Sequence, residues 1–157
     1  MRIIGIDPGI GRTGWGIIEK NSNKISTVTF DCFETTPNSE TPDRLRKIFE
    51  FLTRLFEEYR PQEIAIEDLF FNTNAKTALV VGQARGVVLL SAALKNIPIS
   101  VYTPLQVKIA ITGYGRAEKS QIGQMVKVLL KLPSIPKPDD TADALAIALT
   151  HAFSLRR

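Results

Sequence analysis

The sequence predicts a mixed α/β fold in which an antiparallel half-sheet is extended by parallel strands. Three strand-like segments come first, at residues 2–7, 14–19 and 24–34, and later strands alternate with helices. Strands joined by tight turns pair antiparallel, whereas strands separated by a helix pair parallel. We therefore expect a five-stranded mixed sheet, with strands 1–3 antiparallel and strands 4–5 parallel, flanked by helices in a single domain, 1–157.

The first three strands have the features of a meander. Residues 2–7 form an apolar run that ends at Asp7 and is stopped by Pro8. The Asn-Ser-Asn sequence at 21–23 predicts a tight turn between the second and third strands. The third strand has polar and apolar residues in rough alternation, as is typical of an antiparallel meander.

An amphipathic helix follows the meander. Thr41 supplies an N-cap and Pro42 a proline at the first helical position. Apolar side chains then recur at steps of three and four up to Pro61: Leu45, Ile48, Phe49, Leu52, Leu55, Phe56 and Tyr59.

The second half of the chain alternates strands and helices. Strands at 63–68 and 97–102 enclose a helix at 75–95 that is apolar nearly all round. Such a helix is expected to be buried, here against the sheet, with a second subunit as a further candidate partner. The remaining segments are helices at 105–111, 117–131 and 140–153 and a proline-rich loop at 133–138.

The composition is that of an ordinary folded protein. Of the 157 residues, 44% are apolar and 23% charged, and the single cysteine, Cys32, cannot form an internal disulfide. Gln83 and Arg85 interrupt the most apolar stretch, at 78–94, and Asp7 stands where a signal peptide would be apolar. We expect no membrane span and a cytoplasmic location.

The net charge of +4 is concentrated in one segment. Residues 101–138 carry six basic side chains and one acidic side chain, whereas the rest of the chain is close to neutral. The charge pattern alone fits a solvated face or a surface that binds a polyanion. The basic residues are Lys108, Arg116, Lys119, Lys127, Lys131 and Lys137.

A glycine motif follows the first strand. Gly9, Gly11 and Gly14 match the G-x-G-x-x-G pattern of dinucleotide-binding proteins, but that pattern must open a helix, and residues 14–19 read as a strand. We therefore expect a glycine turn whose backbone N–H groups can approach a phosphate, and no dinucleotide site.

Four carboxylates stand at the ends of predicted elements. Asp7 ends the first strand and Glu67 lies at the end of the fourth, while Asp140 and Asp143 share one face of the last helix. Acids in a first helical turn are also favoured by the helix dipole alone. Asp139 could share a face with Asp143 as well, or serve as the N-cap.

This pattern favours metal chemistry over a protein nucleophile. The lone His151 lies roughly 16 Å along the helix from Asp140, too far to assist it, and is expected to be structural, like Cys32. Converging carboxylates suit Mg²⁺ or Mn²⁺. Beside a basic surface, two such ions about 3.5–4 Å apart would support phosphodiester hydrolysis.

Five motifs, in order along nearly the whole chain, closely resemble the RuvC family of bacterial Holliday junction resolvases. They are Ile6-Asp7-Pro8-Gly9, Ile66-Glu67, Gly82-Gln83-Ala84-Arg85-Gly86, Ala117-Glu118-Lys119-Ser120-Gln121 and the helix opening at Asp140-Thr141-Ala142-Asp143. The resemblance implies an RNase H-like fold and a Mg²⁺- or Mn²⁺-dependent homodimer that cuts two strands of a four-way junction symmetrically, in recombination and repair. It also implies RuvA and RuvB as partners.

The same resemblance suggests roles for individual residues. Asp7, Glu67, Asp140 and Asp143 match the catalytic, metal-binding acids, with Asp140 favoured over Asp139 by the family spacing. The predicted DNA contacts are an aromatic residue that meets bases near the crossover, basic residues of the junction-binding surface and further candidate phosphate contacts: Phe70, Lys108, Lys119, Arg12, Arg116, Asn72 and Asn74.

Two other functions compete with this interpretation. The opening strand, Asp7 and the glycine turn also resemble the phosphate loop of actin-like and sugar-kinase ATPases, but those enzymes need a second related half, for which 157 residues are too few. A junction-binding module without catalysis is the other alternative, and the complete set of acids argues against it.

Overall fold

The computed structural model describes residues 1–68 and 74–155 and contains one five-stranded mixed sheet. The strands lie in the order β3-β2-β1-β4-β5, so the first strand is central. Their bounds are β1 Arg2–Asp7, β2 Arg12–Asn21, β3 Lys24–Glu34, β4 Glu63–Glu67 and β5 Ile99–Tyr102.

Helices cover both faces of this sheet. Their bounds are α1 Thr41–Tyr59, α2 Ala75–Leu94, α3 Pro104–Thr112, α4 Lys119–Leu129 and α5 Asp139–Ser154. The strand pairing is as predicted: β1 pairs antiparallel with β2 and β2 with β3, while β1–β4 and β4–β5 are parallel.

The period of two along β1 sends alternate side chains to two separate cores. Ile3 belongs to the core formed with α3, α4 and α5, whereas Ile4 and Ile6 belong to the core formed with α1 and α2. Gly5 and Asp7 therefore point to the α5 side. The same alternation in β4 sends Ala65, and with it Glu67, to the α5 side.

Several predicted element ends shift by a few residues. β2 begins at Arg12 rather than at residue 14, because its pairing with β3 continues back to Glu34. The N-cap of α1 is Glu40 rather than Thr41, and that of α5 is Pro138 rather than Asp139, which is the first helical residue. The shorter α4, at Lys119–Leu129, begins after a capping box in which Glu118 and Gln121 pair reciprocally.

The prediction that α2 is buried is only partly correct. Its buried residues are Ala84, Val88, Ser91 and Ala92, a single face that packs over α1 and the sheet. Leu79, Leu90 and Leu94 are 64%, 55% and 61% exposed. A helix that is apolar all round has more apolar surface than one sheet face can cover, so one apolar face of α2 stays uncovered within this chain.

Among the residues that the structure describes, α2 is the one helix whose length and hydropathy would also suit a membrane span. Only 22% of its most apolar window is buried inside the chain, although its inner face contributes to the core.

Candidate active site

Strand register places the first two predicted acids side by side. β1 and β4 run parallel with Ile6 opposite Ile66, so the next residues in register are Asp7 and Glu67. Both strands end there, and both side chains lie on the α5 side of the sheet. The two acids predicted at the ends of separate strands therefore lie at one edge of the sheet.

Helix α5 brings the other two acids because glycines let it lie directly on the sheet. A Cβ at Gly5 would stand 1.9 Å from the Ala144 carbonyl oxygen, and one at Gly14 would stand 2.1 Å from the Asp140 carbonyl oxygen. Gly14 is the β2 residue opposite Asp7. The first turn of α5 therefore sits over Asp7, and no side chain could be accommodated between them.

Two glycines that allow close packing of α5 are not predicted from the sequence to have this role. Gly5 and Gly16 lie inside strands, and a Cβ at Gly16 would come within 2.5 Å of the Leu145 side chain. Glycine inside an otherwise β-branched strand commonly marks a close approach of another backbone, which is the signal that could have found them.

Gly14→Ala is expected to lower the free energy of unfolding by about 1–3 kcal/mol, because the added methyl group must displace α5. It should also move the Asp140 carboxylate away from Asp7. Urea unfolding followed by circular dichroism measures the first effect. Gly123→Ala is a suitable control, since its Cβ would approach only the Ile135 side chain, at 3.1 Å. Equal stability of Gly14→Ala and wild type would contradict direct helix–sheet contact at this position.

Asp7 is the most strongly perturbed carboxyl group of the site. Burial, followed by the negative charges of Asp143, Asp140 and Glu67, raises the pKa of Asp7 from 3.8 to about 8, and Lys119 opposes this only in part. The four acids thus lie close enough to repel one another. In the absence of a cation, the carboxyl group of Asp7 retains its proton at neutral pH.

Lys119 is the basic residue in direct contact with these acids. Its Nζ atom lies 2.8 Å from Asp143 Oδ2. Burial lowers the pKa of Lys119, but its hydrogen bond to Asp143 and the charges of Asp143, Asp139 and Asp7 outweigh that effect, so the net shift is upward. Burial also raises the pKa values of Glu67 and Asp143, against the opposing charge of Lys119.

An open cleft of about 480 Å³ joins the acids to the basic segment. Glu67 and Asp143 line it together with Lys108, Arg116 and Lys119. The positive charge of Lys108 is close enough to lower the pKa of Glu67, although burial dominates and the net shift is upward. Part of the charge excess of residues 101–138 therefore borders the carboxylates.

The donor set suits a hard divalent cation. Its ligands would be carboxylate oxygens, and after burial the charges of Asp143, Asp140 and Glu67 raise the pKa of Asp7, so several carboxylates lie near one another. The acids lie near one another but do not yet surround a common point. Within residues 1–68 and 74–155, no three His, Cys, Asp or Glu side chains are arranged to hold a metal ion, and Asp143 is paired with Lys119.

The remaining predicted DNA contacts occupy different positions. Arg12 is exposed at the start of β2 and pairs with Glu34 at 3.4 Å. Asn74 is the N-cap of α2, its side-chain oxygen accepting a hydrogen bond from the Lys76 N–H at 3.0 Å. Phe70 and Asn72 lie outside the described residues.

His151 is held by structural partners, whereas Cys32 lies opposite Gly14 and close enough to Asp140 for that charge to act on its thiol. His151 is buried between α5 and the sheet, with Nδ1 2.7 Å from the Tyr102 hydroxyl and Nε2 3.2 Å from Glu63 Oε2. Burial raises the pKa of the Cys32 thiol to about 11, so it is not a ready nucleophile.

Comparison with known proteins finds one family over almost the entire chain. Residues 3–151 match the family model described as crossover junction endodeoxyribonuclease RuvC. The RuvC proteins of Desulforamulus reducens and Brevibacillus brevis are 54% and 53% identical over 97% of this chain, and the matches cover 93% and 92% of those proteins. The structure of Thermus thermophilus RuvC in complex with a Holliday junction substrate superposes with a TM-score of 0.92 at 38% identity, covering 98% of this chain and 93% of that one.

Proposed function

Because the chain belongs to the RuvC family of crossover junction endodeoxyribonucleases, we propose that it resolves four-way DNA junctions by paired, symmetric phosphodiester hydrolysis. The observation that carries the proposal is the meeting of Asp7, Glu67 and Asp143 with Lys108 and Lys119 at one sheet edge. The five-stranded mixed sheet of this chain, with its flanking helices, is the RNase H-like architecture that the family resemblance predicted.

The acids and the basic residues have separate tasks. Two Mg²⁺ ions per site, with Mn²⁺ as a substitute, would be held by Asp7, Glu67, Asp140 and Asp143. When bound, the ions would activate water and stabilise the charge on the departing 3′ oxygen. Lys108 and Arg116 line the cleft and bind phosphate oxygens of the strand. Water attacks phosphorus and the bond to the 3′ oxygen breaks, with no covalent bond to the protein.

Lys119 links the two tasks. Its side chain is about 60% exposed, yet its ammonium group contacts Asp143, whose side chain is 25% exposed. In this position it orients Asp143 before the site is loaded and can turn to a substrate phosphate once cations neutralise the acids.

We propose a homodimer whose interface is the exposed face of α2. Leu79, Gln83, Gly86, Leu90 and Leu94 form one exposed stripe at helical spacing. A Cβ at Gly86 would meet nothing within 4 Å inside this chain, so a partner helix could approach closely there. A twofold dimer places one active site on each of two symmetric strands.

Leu90→Glu is expected to convert the dimer into a monomer, because it places a charge at the centre of an apolar interface. Sedimentation at micromolar concentration measures the change. Val128→Glu is the matched control, since Val128 is also exposed and apolar but lies on α4. A monomeric wild type, or a dimer that survives Leu90→Glu, would contradict the assigned interface.

The experiment that tests the proposed function compares two substrates. Wild-type protein with Mg²⁺ should cut a synthetic four-way junction into nicked duplexes and leave linear duplexes of the same sequences intact. Hydrolysis of ATP without junction cutting would support the ATPase interpretation instead. Junction binding without cutting in Mg²⁺ or Mn²⁺ would support the non-catalytic module.

The remaining partners and the location belong to the same proposal. Similarity to bacterial RuvC proteins supports action on chromosomal DNA in the cytoplasm and association with the RuvA and RuvB branch-migration proteins.

A further inference from the structure

The glycine turn after β1 holds its carbonyl groups in a fixed inward orientation. The Gly9 carbonyl accepts a hydrogen bond from the Thr13 hydroxyl at 2.8 Å. The Ile10 carbonyl accepts one from the Thr35 hydroxyl at 2.5 Å, and the Gly11 carbonyl accepts one from the Thr35 N–H at 3.0 Å. Thr13 and Thr35 are both buried, so three consecutive carbonyls are tied to the protein interior.

The N–H groups of the same turn are left available. Within the described ranges 1–68 and 74–155, the N–H groups of Gly9, Ile10 and Gly11 donate to no protein acceptor. All three residues are only half-buried. Consecutive backbone N–H groups that have no protein acceptor and are only half-buried can donate to an anion.

An arginine of α1, the helix that packs on the sheet face opposite α5, reaches this turn. Arg44 Nε donates to the Thr35 hydroxyl at 2.7 Å, and Arg44 Nη2 lies 3.4 Å from the position that a Cβ on Gly11 would take. The guanidinium group therefore lies over the turn. No carboxylate in the described part of the chain is paired with it: its near neighbour Asp43 is paired with Arg46.

We propose that the glycine turn and Arg44 form a second phosphate site, which takes a backbone phosphate of the DNA strand whose scissile phosphate lies at Asp7. This inference rests on the proposed function and adds to it a contact outside the cleft that Lys108 and Arg116 line. Backbone N–H groups and a guanidinium fork are the donors that suit a phosphodiester. Asp7 ends β1 directly before the turn, so holding the strand here also fixes its register over the acids.

Arg44 is not needed at this position merely to brace the turn. Bracing uses one donor, Nε, and a neutral side chain could supply it. The Nη1 and Nη2 groups have no acceptor within the described residues, and Arg44 is only half-buried, so both groups are free to donate to an anion.

The test is the affinity for a fluorescent four-way junction, measured by anisotropy in EDTA over a series of KCl concentrations. Arg44→Gln can still donate to Thr35 but lacks the charge. We expect about a tenfold lower affinity, and a slope of log affinity against log salt that is smaller by about one unit. Arg44→Lys keeps the charge and should keep the slope.

Arg54→Gln supplies the matched control. It removes the same charge from the same helix, about 15 Å from Arg44, and Arg54 is exposed. Its slope should equal that of wild type. A slope for Arg44→Gln equal to that of Arg54→Gln overturns the inference, as does a reduced slope for Arg44→Lys in a protein that remains folded by circular dichroism. If wild type binds no junction, the proposed function itself fails, which is a separate result.

Discussion

Asp7→Asn is expected to reduce the rate of junction cleavage by about a thousandfold or more, while junction affinity changes by less than about threefold. Asp7 is central to the site: its pKa responds to the charges of Asp143, Asp140 and Glu67 together. An amide keeps the shape of the side chain but cannot carry the negative charge that a divalent cation requires. Single-turnover cleavage with excess protein and a binding assay in EDTA separate the two quantities.

Asp31→Asn is the control for this experiment. Asp31 is an exposed β3 residue whose carboxylate accepts a hydrogen bond from the neighbouring Cys32 N–H at 2.8 Å, so its replacement by Asn should leave cleavage unchanged. If Asp7→Asn cut junctions at a rate within about tenfold of wild type, Asp7 would not be part of the catalytic centre. A parallel loss of binding and cutting would mean that the variant had lost the DNA surface rather than the chemistry.

The free energy of unfolding of the metal-free protein is expected to fall as the pH rises from about 4 to about 8. The unfolded chain releases the Asp7 proton near the ordinary pKa of 3.8, whereas the folded protein retains it up to about 8. In that window the folded state binds more protons, so raising the pH favours unfolding. The raised pKa values of Glu67 and Asp143 act in the same direction.

Asp7→Asn and added Mg²⁺ test this pH dependence independently. The variant should be more stable than wild type at pH 8 in EDTA, and the gain should shrink as the pH falls. Mg²⁺ should stabilise wild type at pH 8 by binding the ionised carboxylates of the folded state, and it should stabilise Asp7→Asn much less. Identical pH profiles of urea unfolding for wild type and variant would contradict the burial of an uncompensated carboxyl group at Asp7.

The strand directions follow from local patterns in the sequence. Apolar runs that each end in an acid, and the switch from tight turns to helical connections, suffice to predict them. The meeting of Asp7 with Glu67 also needs β4 to lie beside β1, which is a contact between distant segments that the register of Ile6 with Ile66 supplies.

Features that depend on contacts between distant segments were harder to predict. The burial of α2 was overestimated because periodicity shows that a helix is apolar all round, but not how much of it one sheet can cover. The role proposed for Arg44 depends on its contact with Thr35, which lies in the loop after β3. The proposed preference for Asp140 over Asp139 is supported by the Asp140 backbone resting on Gly14, opposite Asp7, and this contact cannot be predicted from the sequence.

The most direct test of the metal-dependent site is an anomalous-scattering experiment on crystals soaked in Mn²⁺ at about pH 8. We predict two anomalous peaks about 3.5–4 Å apart. Carboxylate oxygens of Asp7, Glu67, Asp140 and Asp143 should lie about 2.0–2.3 Å from them, with Lys119 displaced from Asp143. Crystals in which Mn²⁺ binds elsewhere, or binds nowhere while Lys119 keeps its contact with Asp143, would contradict the assignment of these four acids as the metal centre.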